Sequence, residues 1–70
     1  MTTDRAKVLA AIAEISDLAP QLRLGQMIAN LATLARGPQV ESIWDSEDDE
    51  FLAAAQRMLE HYRNREPVAT

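Results

Sequence analysis

The chain has 70 residues, with seven Lys and Arg, eleven Asp and Glu, one His, no Cys, 47% apolar residues and a net charge of −4. A chain this short makes one domain at most, in the size range where a single core supplies only about 3–5 kcal/mol. Without Cys and with a single His, disulfide and zinc staples are excluded. That leaves tight helix packing, or a partner chain that completes the core.

The apolar content argues against disorder. No run approaches the roughly 18 apolar residues of a spanning helix. The segment from Met1 to Arg5 lacks the basic and apolar regions of a signal peptide. The expectation is a cytoplasmic protein with no membrane contact, and six Arg against one Lys suggests a bacterial or phage source. Charge is segregated along the chain. Residues 1–19 sum to −1, 20–40 to +2, 41–50 to −6 and 51–70 to +1. An acid-free middle therefore precedes a dense acidic block.

The first predicted helix carries Val8, Ala11, Ile12, Ile15 and Ala19 on one face. Thr3 supplies an N-cap, with Asp4 in the first turn. Pro20 disfavours helical geometry at Ala19, so this helix should end between Ser16 and Leu18. The second begins just after Pro20. Leu24, Met27, Ile28, Leu31, Leu34 and Ala35 share its apolar face, and Arg23, Gln26, Asn30 and Thr33 the opposite one. Gly37-Pro38 is a strong stop signal.

An irregular segment, Gln39 to Trp44, follows. Ser46 with Asp49 reads as a capping-box variant, and Glu47, Asp48, Asp49 and Glu50 fill the first turn of a third helix. Phe51, Ala55, Met58 and Tyr62 recur along it, with Leu52 and Leu59 alongside. Arg63 and Arg65 close its last turn, and the tail should fray.

No segment alternates with period 2. The chain reads as all-α, a small three-helix domain over residues 1–66 with a flexible tail at 67–70. A helical hairpin is followed by a loop of about ten residues and a third helix packed across the pair. The predicted core is Val8, Ile12, Ile15, Leu24, Met27, Ile28, Leu31, Leu34, Phe51, Leu52, Ala55, Met58, Leu59 and Tyr62. Trp44 should pin the loop over the open end of the bundle.

Four features invite a chemical reading. The acids from Asp45 to Glu50 suggest a cation loop, but a calcium loop starting at Asp45 needs Gly at its sixth position and Glu at its twelfth. Glu50 and Gln56 stand there. Acids compensating a helix dipole, or a partner-binding patch, fit better. Arg23, Gln26 and Asn30 are types that read base edges, on a helix that follows a short turn. Against this stand the negative net charge and the few basic residues for phosphate contacts, so nucleic-acid binding is not favoured. Gly25 in an early helical turn calls for close approach by another group. His61 has neither a thiol nor a nearby Ser to activate, and no phosphate loop or carboxylate-pair motif is present. The chain is therefore expected to be non-enzymatic, with no cofactor and no metal.

The runs Leu22 to Leu31 and Ile43 to Leu52 resemble those of a group of short, uncharacterised bacterial proteins. In these, an Arg-x-Gly-Gln helix precedes an aromatic-acidic-Leu segment. The resemblance covers about half the chain and carries no activity with it. It implies that Arg23, Gly25, Gln26, Asn30, Trp44 and the acids at 45–50 work together.

The sequence thus points to a helical interaction module that binds a protein partner or itself. Its surface would comprise Arg23, Gln26 and Asn30 with Trp44, Asp45, Glu47 and Asp48. An acidic antitoxin-like or inhibitor-like protein and a helix-turn-helix DNA binder are the alternatives. Self-association through Ala10, Ala53 and Ala54 would complete a marginal core. The same residues also suggest a clasp, with the loop running back along the second helix so that Asp45 reaches Arg23 and Trp44 lies on Gly25.

Overall fold

The computed structural model describes residues 3–64, which are all-helical with no strand among them. In chain order they form α1 (Asp4–Leu18), α2 (Leu24–Arg36), α3 (Ser42–Asp45) and α4 (Asp48–Asn64). None of these helices is long and apolar enough to cross a membrane. The expected closing residue Arg65 and the tail at 67–70 lie outside the described residues.

Local signals set most of the ends. Thr3 Oγ1 accepts from the Ala6 N–H at 3.1 Å and caps α1. Before Pro20, the Ala19 N–H still reaches the Ile15 carbonyl at 2.8 Å, and Ala19 is buried. Arg23 stands outside α2 as its N-cap residue, with extended backbone, so α2 starts later than expected. Gly37 ends α2 with φ at +110°, a conformation that favours glycine.

The expected ten-residue loop contains a one-turn helix, α3, which packs on α2. The expected hairpin is not the main pairing. α4 packs against both α1 and α2, while α1 and α2 barely meet. Two ion pairs fix the direction of α1: Arg5 meets Asp48 at 3.0 Å at one end, and Arg63 meets Glu14 at the other. α1 and α4 therefore run parallel. A third pair, Arg36 with Glu50 at 2.9 Å, sets the C-terminal end of α2 beside the first turn of α4.

The core joins Ala11 and Ile15 from α1, Met27 and Leu31 from α2, and Ala54, Ala55, Met58 and Leu59 from α4. Val8 is buried too, and Ile12, Ile28, Phe51, Leu52 and Tyr62 are partly buried. Two expected core residues are not in it. Leu24 is 61% exposed as the first residue of α2, and Leu34 is 40% exposed in its last turn. Alanines take the missing places. Ala11, Ala32 and Ala54 are buried alongside the expected Ala55, and small side chains there let helices approach closely. Ala54, expected on a free flat surface, is thus already used within the chain, whereas Ala10 and Ala53 are exposed.

Candidate functional site

The surface feature that the fold builds with most specificity is the turn after α2. Past Gly37 the chain coils at once. Ser42 N–H donates to the Gln39 carbonyl, Ile43 N–H to that of Val40, and both Trp44 and Asp45 N–H to that of Glu41. Ser42 Oγ donates to the Gly37 carbonyl at 2.9 Å, and Ser42 is buried. Ser46 Oγ donates to the Ser42 carbonyl at 2.6 Å and closes α3. Ser46 is therefore not the N-cap of the last helix. Instead the Glu50 carboxylate reaches back to the Glu47 N–H at 2.8 Å, in the manner of a capping box one residue later.

Anchoring Ser42 inward turns the opposite side of α3 outward. Val40, Ile43 and Trp44 form an i, i+3, i+4 apolar stripe in solvent, and Trp44 is 67% exposed. At 100° per residue, Trp44 sits at the middle of this arc, with Val40 and Ile43 on one side and Glu41 and Asp45 on the other. The expectation that Trp44 pins the loop is thus overturned. An inward Ser42 and an inward Trp44 are incompatible on a single helical turn.

The acids around this patch fall into two groups. Asp48 pairs with Arg5 and Glu50 with Arg36, whereas Glu41, Asp45, Glu47 and Asp49 have no ion-pair partner among the described residues. The Glu47 N–H and the Arg36 guanidinium hold the Glu50 carboxyl below its usual range. Arg36 is raised by its bond and charge contact with Glu50, and more weakly by the charges of Asp45 and Glu47. Among the described residues, no three acids or His converge as they would to hold a metal ion.

The structure does not bring the predicted site together. Arg23 lies at the N-terminal end of α2, while Trp44, Asp45, Glu47 and Asp48 cluster beyond its C-terminal end, a helix length of roughly 20 Å away. The clasp is not formed. A Cβ added at Gly25 would meet nothing within 4 Å beyond its own helix, so neither Trp44 nor the backbone of another element lies there. Asp45 stays near Arg36 because residues 39–45 coil instead of extending, which shortens their reach. Gln26 is occupied locally, its Oε1 accepting from the Arg23 N–H at 2.9 Å. Asn30 is exposed, and its side chain makes no hydrogen bond among the described residues.

Val40 and Ile43 join the site, although the sequence placed both only within the irregular segment from Gln39 to Trp44. Their i, i+3, i+4 spacing with Trp44 was the available signal. Comparison with known protein families, curated proteins and solved structures finds no match for this chain.

Proposed function

We infer that the protein is a small, non-enzymatic interaction module that docks a protein surface on the Trp44 turn. The observation that carries this reading is the exposed Val40–Ile43–Trp44 stripe, held outward by the buried Ser42 anchor and edged by Glu41 and Asp45, which have no ion-pair partner among the described residues. A contiguous apolar patch with a charged rim is the usual form of a protein-binding site. Trp is the residue type most often found to dominate such contacts. Glu41 and Asp45 select a partner that brings cationic groups to one edge of the indole. This also leaves room for an inhibitor-like role against a basic protein. A DNA-reading role is less well served, because Gln26 is engaged in its own helix cap and α1 and α2 do not pack as a helix pair.

The test is affinity capture from the native cells, comparing the wild type with Trp44→Ala and with Ala13→Ser on the exposed back of α1. The reading expects a bound protein, or a second copy of the chain, that Trp44→Ala loses and Ala13→Ser keeps. Equal capture by all three would overturn it.

A further inference from the structure

Resting on the reading that the Trp44 turn is a docking surface, we propose that its occupant is a second copy of this chain. Trp44 of one protomer enters the groove between α2 and α4 of its partner, and the reciprocal contact closes a two-fold dimer.

The groove has a volume of about 370 Å³ and is lined by Leu34, Arg57, Met58, His61 and Tyr62. Leu34, Met58 and Tyr62 make its apolar floor. The His61 ring meets Tyr62 edge-on, with centroids 5.4 Å apart. Arg57 stands exposed on the rim and has no ion pair among the described residues.

The two surfaces match in chemistry. The turn offers a flat indole with aliphatic neighbours on one side and Glu41 and Asp45 on the other. The groove offers an apolar slot with a cation on its rim. Stacking of an indole on an aromatic ring and pairing of carboxylate with guanidinium are both strong at a desolvated contact.

They also lie close together on the molecule. Leu34 is in the last turn of α2, and Gly37-Pro38 leads directly into the Trp44 turn. Patch and groove are thus near neighbours along the chain, with Trp44 beside the first turns of α1 and α4 and the groove between α2 and α4. A two-fold contact in which each Trp44 enters the other groove closes the assembly, whereas a head-to-tail contact would propagate.

The shape of the single chain points the same way. Its smallest extent is 17 Å and its radius of gyration 12.3 Å, against about 11 Å for a compact chain of this length. Among the described residues only Ile15, Met27 and Leu31 are large side chains in full burial, while Leu34, Val40, Ile43 and Trp44 remain open, as do Leu9, Leu18 and Leu24 elsewhere. A second copy laid over Leu34 and the Trp44 turn supplies a missing layer.

Trp44 is the only Trp in the chain, so its fluorescence reports directly on the contact. The full chain is titrated from nanomolar to high micromolar concentration, with emission and sedimentation followed together. The expected result is a blue shift of Trp44 emission in step with conversion from monomer to dimer. Trp44→Ala should weaken the dimer by at least about 30-fold, as loss of a central aromatic anchor does. Arg57→Glu, an exposed change checked for unaltered helicity and melting, should weaken it about tenfold, and adding Asp45→Arg should restore it.

A chain that stays monomeric throughout would overturn the proposal, as would a dimer whose Trp44 emission never shifts or a charge swap without rescue. A monomer that nevertheless captures a foreign protein through Trp44 would overturn the self-docking alone and leave the interaction-module reading standing.

Discussion

Leu31 and Leu24 lie on the same stripe of α2, yet Leu31 is fully buried and Leu24 is 61% exposed. Truncating Leu31 removes contacts on all sides at the meeting of three helices. Leu31→Ala should cost on the order of 2–5 kcal/mol, as much as a domain of this size has to lose. Leu24→Ala should change stability by less than about 0.5 kcal/mol. Denaturant titration separates the two, and a cooperatively folded Leu31→Ala protein would contradict the core assignment. The two glycines make a second contrasting pair. Gly25 sits in a helix with open space where a side chain would stand, so Gly25→Ala should stabilise by up to about 1 kcal/mol. At this chain length that raises Tm by roughly 4–8 °C. Gly37 has φ at +110°, and a Cβ there would come within 3.0 Å of Gln39 Oε1. The Gln39 side chain can move aside and the backbone cannot, so the conformation sets the cost of Gly37→Ala at about 1–3 kcal/mol. Thermal melts of both variants should shift in opposite directions.

Among the elements, what the sequence reveals is what neighbouring residues decide. Thr3 caps α1 and Gly37 stops α2 through bonds and torsions within a few positions, so both ends are readable in advance. Ser42 is different. Its bond to the Gly37 carbonyl decides which way Trp44 faces, and no apolar period shows it. The length of the 37–47 segment is compatible with either an extended strap or a coil, so length alone cannot place Asp45. The alanines mislead for another reason. Apolar patterning favours large side chains and picks out only Ala55 of the buried alanines of α2 and α4, while two helices at close approach also select Ala32 and Ala54. The charge pairs lie beyond local reading as well, because Arg36 finds Glu50 only once α2 meets α4. That junction carries a pH dependence. The Glu50 carboxyl titrates below its ordinary 4.5, because the Glu47 N–H and Arg36 favour its ionised form. A depressed carboxylate stabilises the fold above its unfolded-state pKa, and the stabilisation is lost as pH falls through the folded value. The wild type should therefore lose stability on acidification below 4.5 with a steeper slope than Glu50→Gln. Equal slopes in acid-unfolding curves would remove Glu50 from this role.

For the molecule as a whole, α4 is the element on which α1 and α2 both depend. The core cluster draws on all three, and α1 and α2 barely meet, so no two helices enclose a core of their own. The three ion pairs among the described residues are solvent-facing and add little to stability. Cohesion therefore comes from one shared apolar contact, which forms or is lost as a unit. α3 stands apart from it. One turn long and largely exposed, α3 is tied down mainly by Ser42 and can open without disturbing Ile15, Leu31 or Ala55, which are fully buried. Native-state hydrogen exchange on the dilute protein tests this division. Amides of Ile15, Leu31, Ala55 and Leu59 should exchange only through global unfolding, with one common free energy and the same denaturant dependence. Amides of Trp44 and Asp45 should exchange through local opening, with far lower protection and almost no denaturant dependence. If α1 amides exchanged at a clearly lower free energy than those of α4, α1 would be a separable helix docked on an α2–α4 pair. The single shared core would then be the wrong description of this fold.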